Sequence, residues 1–97
     1  MTDYREAVWH AVADLLNGDP AMPGVAAPGV LEPAEIGIPL VQEQIREAVD
    51  LEIDCYGDDV RLTIDHDQLM ITTPQGILRC QYVRDALQHY WRPVFDE

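Results

Sequence analysis

The chain has 97 residues, 47% of them hydrophobic and 25% charged, and a formal net charge of −12 from 18 Asp and Glu against 6 Lys and Arg. That length supports one domain with a modest core, and the apolar fraction excludes wholesale disorder. Charge of this sign works against direct nucleic-acid or anionic-membrane binding, both of which run on neutralising phosphates, and no apolar run reaches the roughly 20 residues that cross a bilayer.

The opening Met1-Thr2-Asp3-Tyr4-Arg5-Glu6 carries no basic region followed by an apolar run, so the expectation is a cytoplasmic chain without a secretory signal. Residues 3–16 read as an amphipathic helix, with Tyr4, Val8, Ala11, Val12, Leu15 and Leu16 at three- and four-residue steps. Thr2 is the expected N-cap, and Asn17-Gly18 followed by Pro20 ends the helix. From 18 to 39, Pro20, Pro23, Pro28, Pro33 and Pro39 interrupt any regular element, and the interspersed apolar residues predict an ordered loop. Pro39 suits the first turn of a second helix over 40–49, with Val41, Ile45, Ala48 and Val49 inward and Glu43, Arg46 and Glu47 outward.

Val49, Leu51, Ile53 and Cys55 alternate with Asp50, Glu52 and Asp54, the period of a half-buried strand; Val60, Leu62 and Ile64 repeat it. A turn at Gly57-Asp58 would pair Ile53 with Leu62 and Asp50 with Asp65. A second turn at His66-Asp67 would pair Ile64 with Leu69 and Leu62 with Ile71. A third at Gln75-Gly76 would pair Thr73 with Leu78 and Ile71 with Cys80. Together these predict a four-stranded antiparallel meander over 49–81. Val83, Ala86, Leu87, Tyr90 and Trp91 then suggest a closing helix over 83–92, ended by Pro93 and packed on one sheet face. The expected architecture is a single α+β domain spanning 1–97.

Charge is unevenly placed. Residues 41–67 hold Glu43, Glu47, Asp50, Glu52, Asp54, Asp58, Asp59, Asp65 and Asp67 against Arg46 and Arg61, while in 68–97 Asp85, Asp96 and Glu97 balance Arg79, Arg84 and Arg92. The expected sheet gathers Asp50, Glu52, Asp54 and Asp65 on one exposed face, with Asp58, Asp59 and Asp67 at its turns. Asp50 opposite Asp65 would be a like-charge cross-strand pair, placed against stability. Tyr56, beside the first turn, is a candidate interface anchor.

Chemistry is sparse. No zinc, EF-hand or phosphate-loop spacing appears, and the chain has no serine. Cys55 and Cys80 read as buried thiols; Cys80 with His66 or His89 is the one dyad that can be drawn. The expectation is a non-enzyme without cofactor or metal. It would be a small acidic protein-binding module, of the inhibitor or immunity type and mimicking nucleic acid, whose partner-binding residues are Asp50, Glu52, Asp54, Tyr56, Asp58, Asp59, Asp65 and Asp67. Its partner would be a basic protein surface such as that of a nucleic-acid-binding protein. The alternative is an assembly subunit of a phage or secretion-type complex. An unpaired strand edge would also allow a homodimer.

Overall fold

The computed structural model describes residues 3–18, 30–55 and 59–94. Helix α1 spans Tyr4–Asn17, a 3-10 turn spans Pro33–Gly37, and helix α2 spans Pro39–Ile53. Four strands follow: β1 Arg61–Asp65, β2 Gln68–Thr73, β3 Gly76–Arg84 and β4 His89–Val94, in the spatial order β1-β2-β3-β4 with every neighbour antiparallel. The fold is therefore α+β, with both helices N-terminal and the whole sheet C-terminal.

The cap of α1 is Asp3, whose carboxylate accepts the Arg5 N–H at 3.0 Å. Val8, Val12 and Leu16 form its buried stripe, and Gly18 at φ 76° takes the chain away. Before α2, the Glu35 side chain accepts the Glu32 N–H at 2.7 Å and the Glu35 carbonyl accepts the Ile38 N–H at 3.1 Å, so the 3-10 turn closes on itself. Pro39 then opens α2, losing no helical bond at that position.

The first correction lies at residues 49–55. They form no strand: α2 continues to Ile53, and Asp54 at φ 53°, ψ 44° terminates it in the left-handed region. Ile45, Val49 and Ile53 fall at four-residue steps on the inner side, so the helix already begun at Pro39 extends at little cost. Leu51, which the strand pattern needs inside, is instead 81% exposed. Asp50, Glu52 and Asp54 consequently share no sheet face with Asp65, and the Asp50–Asp65 pair does not form.

The β1–β2 hairpin has the expected register, with Ile64 opposite Leu69 and Leu62 opposite Ile71 around a two-residue turn in which His66 takes φ 54°. The β2–β3 turn falls at Pro74-Gln75, pairing Thr73 with Gly76 and Ile71 with Leu78. This is two positions from the expected pairing. Because side chains alternate with period two, the slip leaves the same residues facing inward. Thr73 sets the turn, its hydroxyl donating to the Gly76 carbonyl at 3.0 Å and accepting the Gln75 N–H at 3.2 Å. At Gly76, φ 146°, the backbone lies against the Tyr4 phenol, where a Cβ would collide with the hydroxyl.

The expected C-terminal helix over 83–92 is absent. β3 runs on to Arg84, a turn follows in which the Asp85 N–H donates to the Gln88 carbonyl at 2.9 Å, and β4 returns beside β3. Asp85 holds that turn with its own carboxylate, which accepts the Ala86 N–H at 2.6 Å. Tyr82, Val83, Tyr90 and Trp91 are all strand-favouring types, and Pro93 is tolerated because β4 is an edge strand.

Both helices pack on each other and on one face of the sheet. The core joins Val8, Val12 and Leu16 of α1 and Ile45 and Val49 of α2 to Leu69, Ile71, Leu78, Cys80 and Trp91 of the sheet. Trp91 closes it. Its indole N–H donates to the Leu31 carbonyl at 2.5 Å, and the Leu31 N–H donates to the Leu16 carbonyl at 2.9 Å. Tyr82 lies opposite Trp91 and sends its own N–H across to Asp67, so the backbone of Trp91 points to the outer rim of the sheet. There the Asn17 carboxamide meets it, accepting the Trp91 N–H at 2.6 Å and donating to its carbonyl at 3.2 Å. The opposite sheet face, bearing Arg61, Thr63, Met70, Arg79 and Arg92, is covered by no described element.

Candidate protein-binding surface

The helical layer carries the negative charge. From 30 to 59 the described acids are Glu32, Glu35, Glu43, Glu47, Asp50, Glu52, Asp54 and Asp59, and Arg46 is the only base among them. On the strands and their turns, Asp65, Asp67 and Asp85 face Arg61, Arg79, Arg84 and Arg92. The molecule therefore has an acidic helical side and a sheet side rich in arginine.

The exposed surface of α2 is built from residues recurring every three or four positions: Leu40, Glu43, Glu47, Leu51 and Asp54. Leu40 is 68% exposed, so with Leu51 the stripe alternates two bare leucines with carboxylates. Glu52 lies exposed beside it. Asp50, Glu52 and Asp54 crowd the C-terminal end of α2, whose last turn holds no basic residue. That is the negative end of the helix dipole, and each acid there opposes it by about 0.3–1 kcal/mol.

The candidate residues divide as follows. Asp50 turns inward; its Oδ1 and the Nε of Arg46, one turn earlier, are buried without hydrogen-bond partners among the described residues. Glu52, Asp54 and Asp59 are exposed around the end of α2 and the approach to β1. Asp65 and Asp67 sit apart from them in the β1–β2 turn. Asp65 is exposed with His66 Nε2 at 3.7 Å, and Asp67 is half-buried with Arg84 at 3.6 Å. Tyr56 and Asp58 lie outside the described residues. Sequence reasoning placed Glu43 and Glu47 correctly on the outside of α2 but missed Leu40 and Leu51, which only the longer helix brings into line with them.

Neither cysteine is set up as a nucleophile. Burial pushes the Cys80 thiol up to about 12, so it stays protonated at neutral pH. Burial also raises Cys55, and the nearby Asp50 carboxylate adds to the shift. His89 does not serve Cys80: its Nδ1 is 3.0 Å from the Tyr82 hydroxyl. Among the described residues no group of three His, Cys, Asp or Glu could hold a metal ion, and no helix is long and apolar enough to cross a membrane.

Comparison with protein-family models, curated proteins and solved structures finds no match to this chain.

Proposed function

We propose that the protein is a small acidic binding module, of the inhibitor or immunity type, whose α2 surface docks on a basic patch of another protein. The observation that carries this reading is the pair of exposed carboxylates Glu52 and Asp54 at the C-terminal end of α2, with no compensating base in the last turn. Carboxylates in that position oppose the stability of their own helix, and a positive partner surface would relieve the repulsion. The bare Leu51 beside them, and Leu40 about three turns earlier on the same stripe, supply apolar contact to such an interface. A nucleic-acid-binding protein offers a basic surface of the required kind.

The test is capture from a lysate of the native host on immobilised wild type and on a Glu47→Lys/Glu52→Lys variant, eluted on a salt gradient and identified by mass spectrometry. Wild type should retain a basic protein that elutes as rising salt shortens the screening length below about 8 Å, and the variant should not retain it. Identical retention on both, or recovery of no basic protein, sinks the proposal. The second reading, an assembly subunit of a phage or secretion-type complex, draws on Leu51 and on Leu87, which is 95% exposed. It is distinguished by a partner whose retention salt leaves unchanged.

A further inference from the structure

We propose that the protein self-associates by pairing β1 with the β1 of a second copy, antiparallel and centred on Thr63. This pairing is independent of the docking surface on α2.

The sheet has two edges, β1 and β4, and they are treated differently. The rim of β4 is closed at Trp91 by the Asn17 side chain and lacks an N–H at Pro93. At β1, Arg61, Thr63 and Asp65 bond inward to Thr72, Met70 and Gln68, because the carbonyl of Asp67, the turn residue just before β2, already faces β3. The backbone groups of Leu62 and Ile64 therefore point outward. Among the described residues, no hydrogen bond reaches them. An edge of this kind is a ready template for another strand.

The side chains say which strand fits. β1 reads Arg61-Leu62-Thr63-Ile64-Asp65. A two-fold axis through Thr63 sets Leu62 opposite Ile64 of the second copy, and each such pair exchanges two main-chain hydrogen bonds. The same axis sets Arg61 opposite Asp65 of the second copy, and Asp65 opposite its Arg61. Both charged residues are exposed and both lie on the uncovered sheet face. They occupy the non-hydrogen-bonded positions, where opposed side chains come closest. On the helix side, the half-buried Leu62 and Ile64 meet their counterparts. In-register parallel pairing would instead bring arginine onto arginine and aspartate onto aspartate. A foreign strand of one charge sign would match one end of β1 and be repelled at the other. At physiological salt the screening length is about 8 Å, so repulsion between two chains of net charge −12 is damped while the contacting pairs keep their attraction.

Sedimentation equilibrium over a concentration series tests the pairing. Arg61→Asp and Asp65→Arg should each weaken self-association by about tenfold or more, since each turns both opposed pairs repulsive. Mixing the two variants should restore a dimer, because every contact between the unlike chains is then attractive, and the double exchange in one chain should restore the homodimer. Amide exchange provides a readout without substitutions: Leu62 and Ile64 should become protected as concentration rises, with Thr63 already protected. The proposal is overturned if wild type stays monomeric throughout, if the single reversals associate as wild type does, if their mixture associates no better than either alone, or if protection at Leu62 and Ile64 ignores concentration.

Discussion

The side chain of Asn17 pairs with both backbone groups of Trp91, 74 positions away, much as a fifth strand would. The last residue of α1 thereby completes the hydrogen bonding of an edge strand that would otherwise expose Trp91 N–H and C=O. Asn17→Ala removes donor and acceptor together from a half-buried site. The expected loss is about 2–3 kcal/mol, measured as a lower urea midpoint. Asn17→Asp keeps the acceptor but turns a carboxylate on the Trp91 carbonyl, and should recover little of that loss. A midpoint unmoved in both variants would show that the contact contributes nothing.

Gly76 is required by its neighbour as well as by its backbone. A methyl group there would collide with the Tyr4 hydroxyl while φ stays at 146°. Gly76→Ala is expected to cost about 2–4 kcal/mol. Pairing it with Tyr4→Phe should return part of the loss by removing the nearest clashing atom, leaving the backbone strain and the close ring carbon. Additive effects in the double variant would rule out the collision.

Leu87 separates the strand-turn-strand ending from a helical one. At the tip of the β3–β4 turn it is 95% exposed, so Leu87→Asp should change stability by less than about 0.5 kcal/mol. In a helix packed on the sheet the same substitution would cost several kcal/mol. Thermal and urea unfolding both read the difference.

The Cys80 thiol gives a signature in alkaline solution. Burial raises its folded pKa to about 12, above the 9.0 of an exposed thiol. The folded state thus holds its proton more tightly, and the stability this confers is complete below pH 9 and lost as pH rises toward 12. Cys80→Val should flatten the fall in stability across that window. The Tyr4 and Tyr82 phenols, both raised chiefly by burial, keep some slope in the variant. At pH 8 the folded protein should leave Cys80 unmodified by a maleimide. Rapid labelling there would contradict the buried, protonated thiol.

The β1–β2 hairpin was legible because Leu62, Ile64, Leu69 and Ile71 alternate about a two-residue turn, and a slip by one would turn one strand's pair outward. The β2–β3 pairing was half-legible, since registers two apart bury the same side chains and only the Thr73 hydroxyl chooses between them. Residues 49–55 misled because Val49 and Ile53 satisfy a period of two and a period of four alike. The choice rested on Ile45, already committed to the helix, and on Leu51, left outside. Residues 83–92 misled in the same way, with Val83, Ala86, Leu87 and Tyr90 spaced for a helix while Asp85 supplied a turn. For the candidate surface, the concentration of acids was readable from position alone. The inward rotation of Asp50 and the alignment of Leu40 with Leu51 depend on how far α2 runs, which local pattern left open.

The Asn17–Trp91 closure also fixes an order of events during synthesis. Ribosomes add about 5–20 residues per second, so α1 emerges roughly 4–15 seconds before the strand whose rim it seals. Through that interval Val8, Val12 and Leu16 have no sheet to cover them. Until β3 and β4 arrive, that stripe has only α2 to pack against.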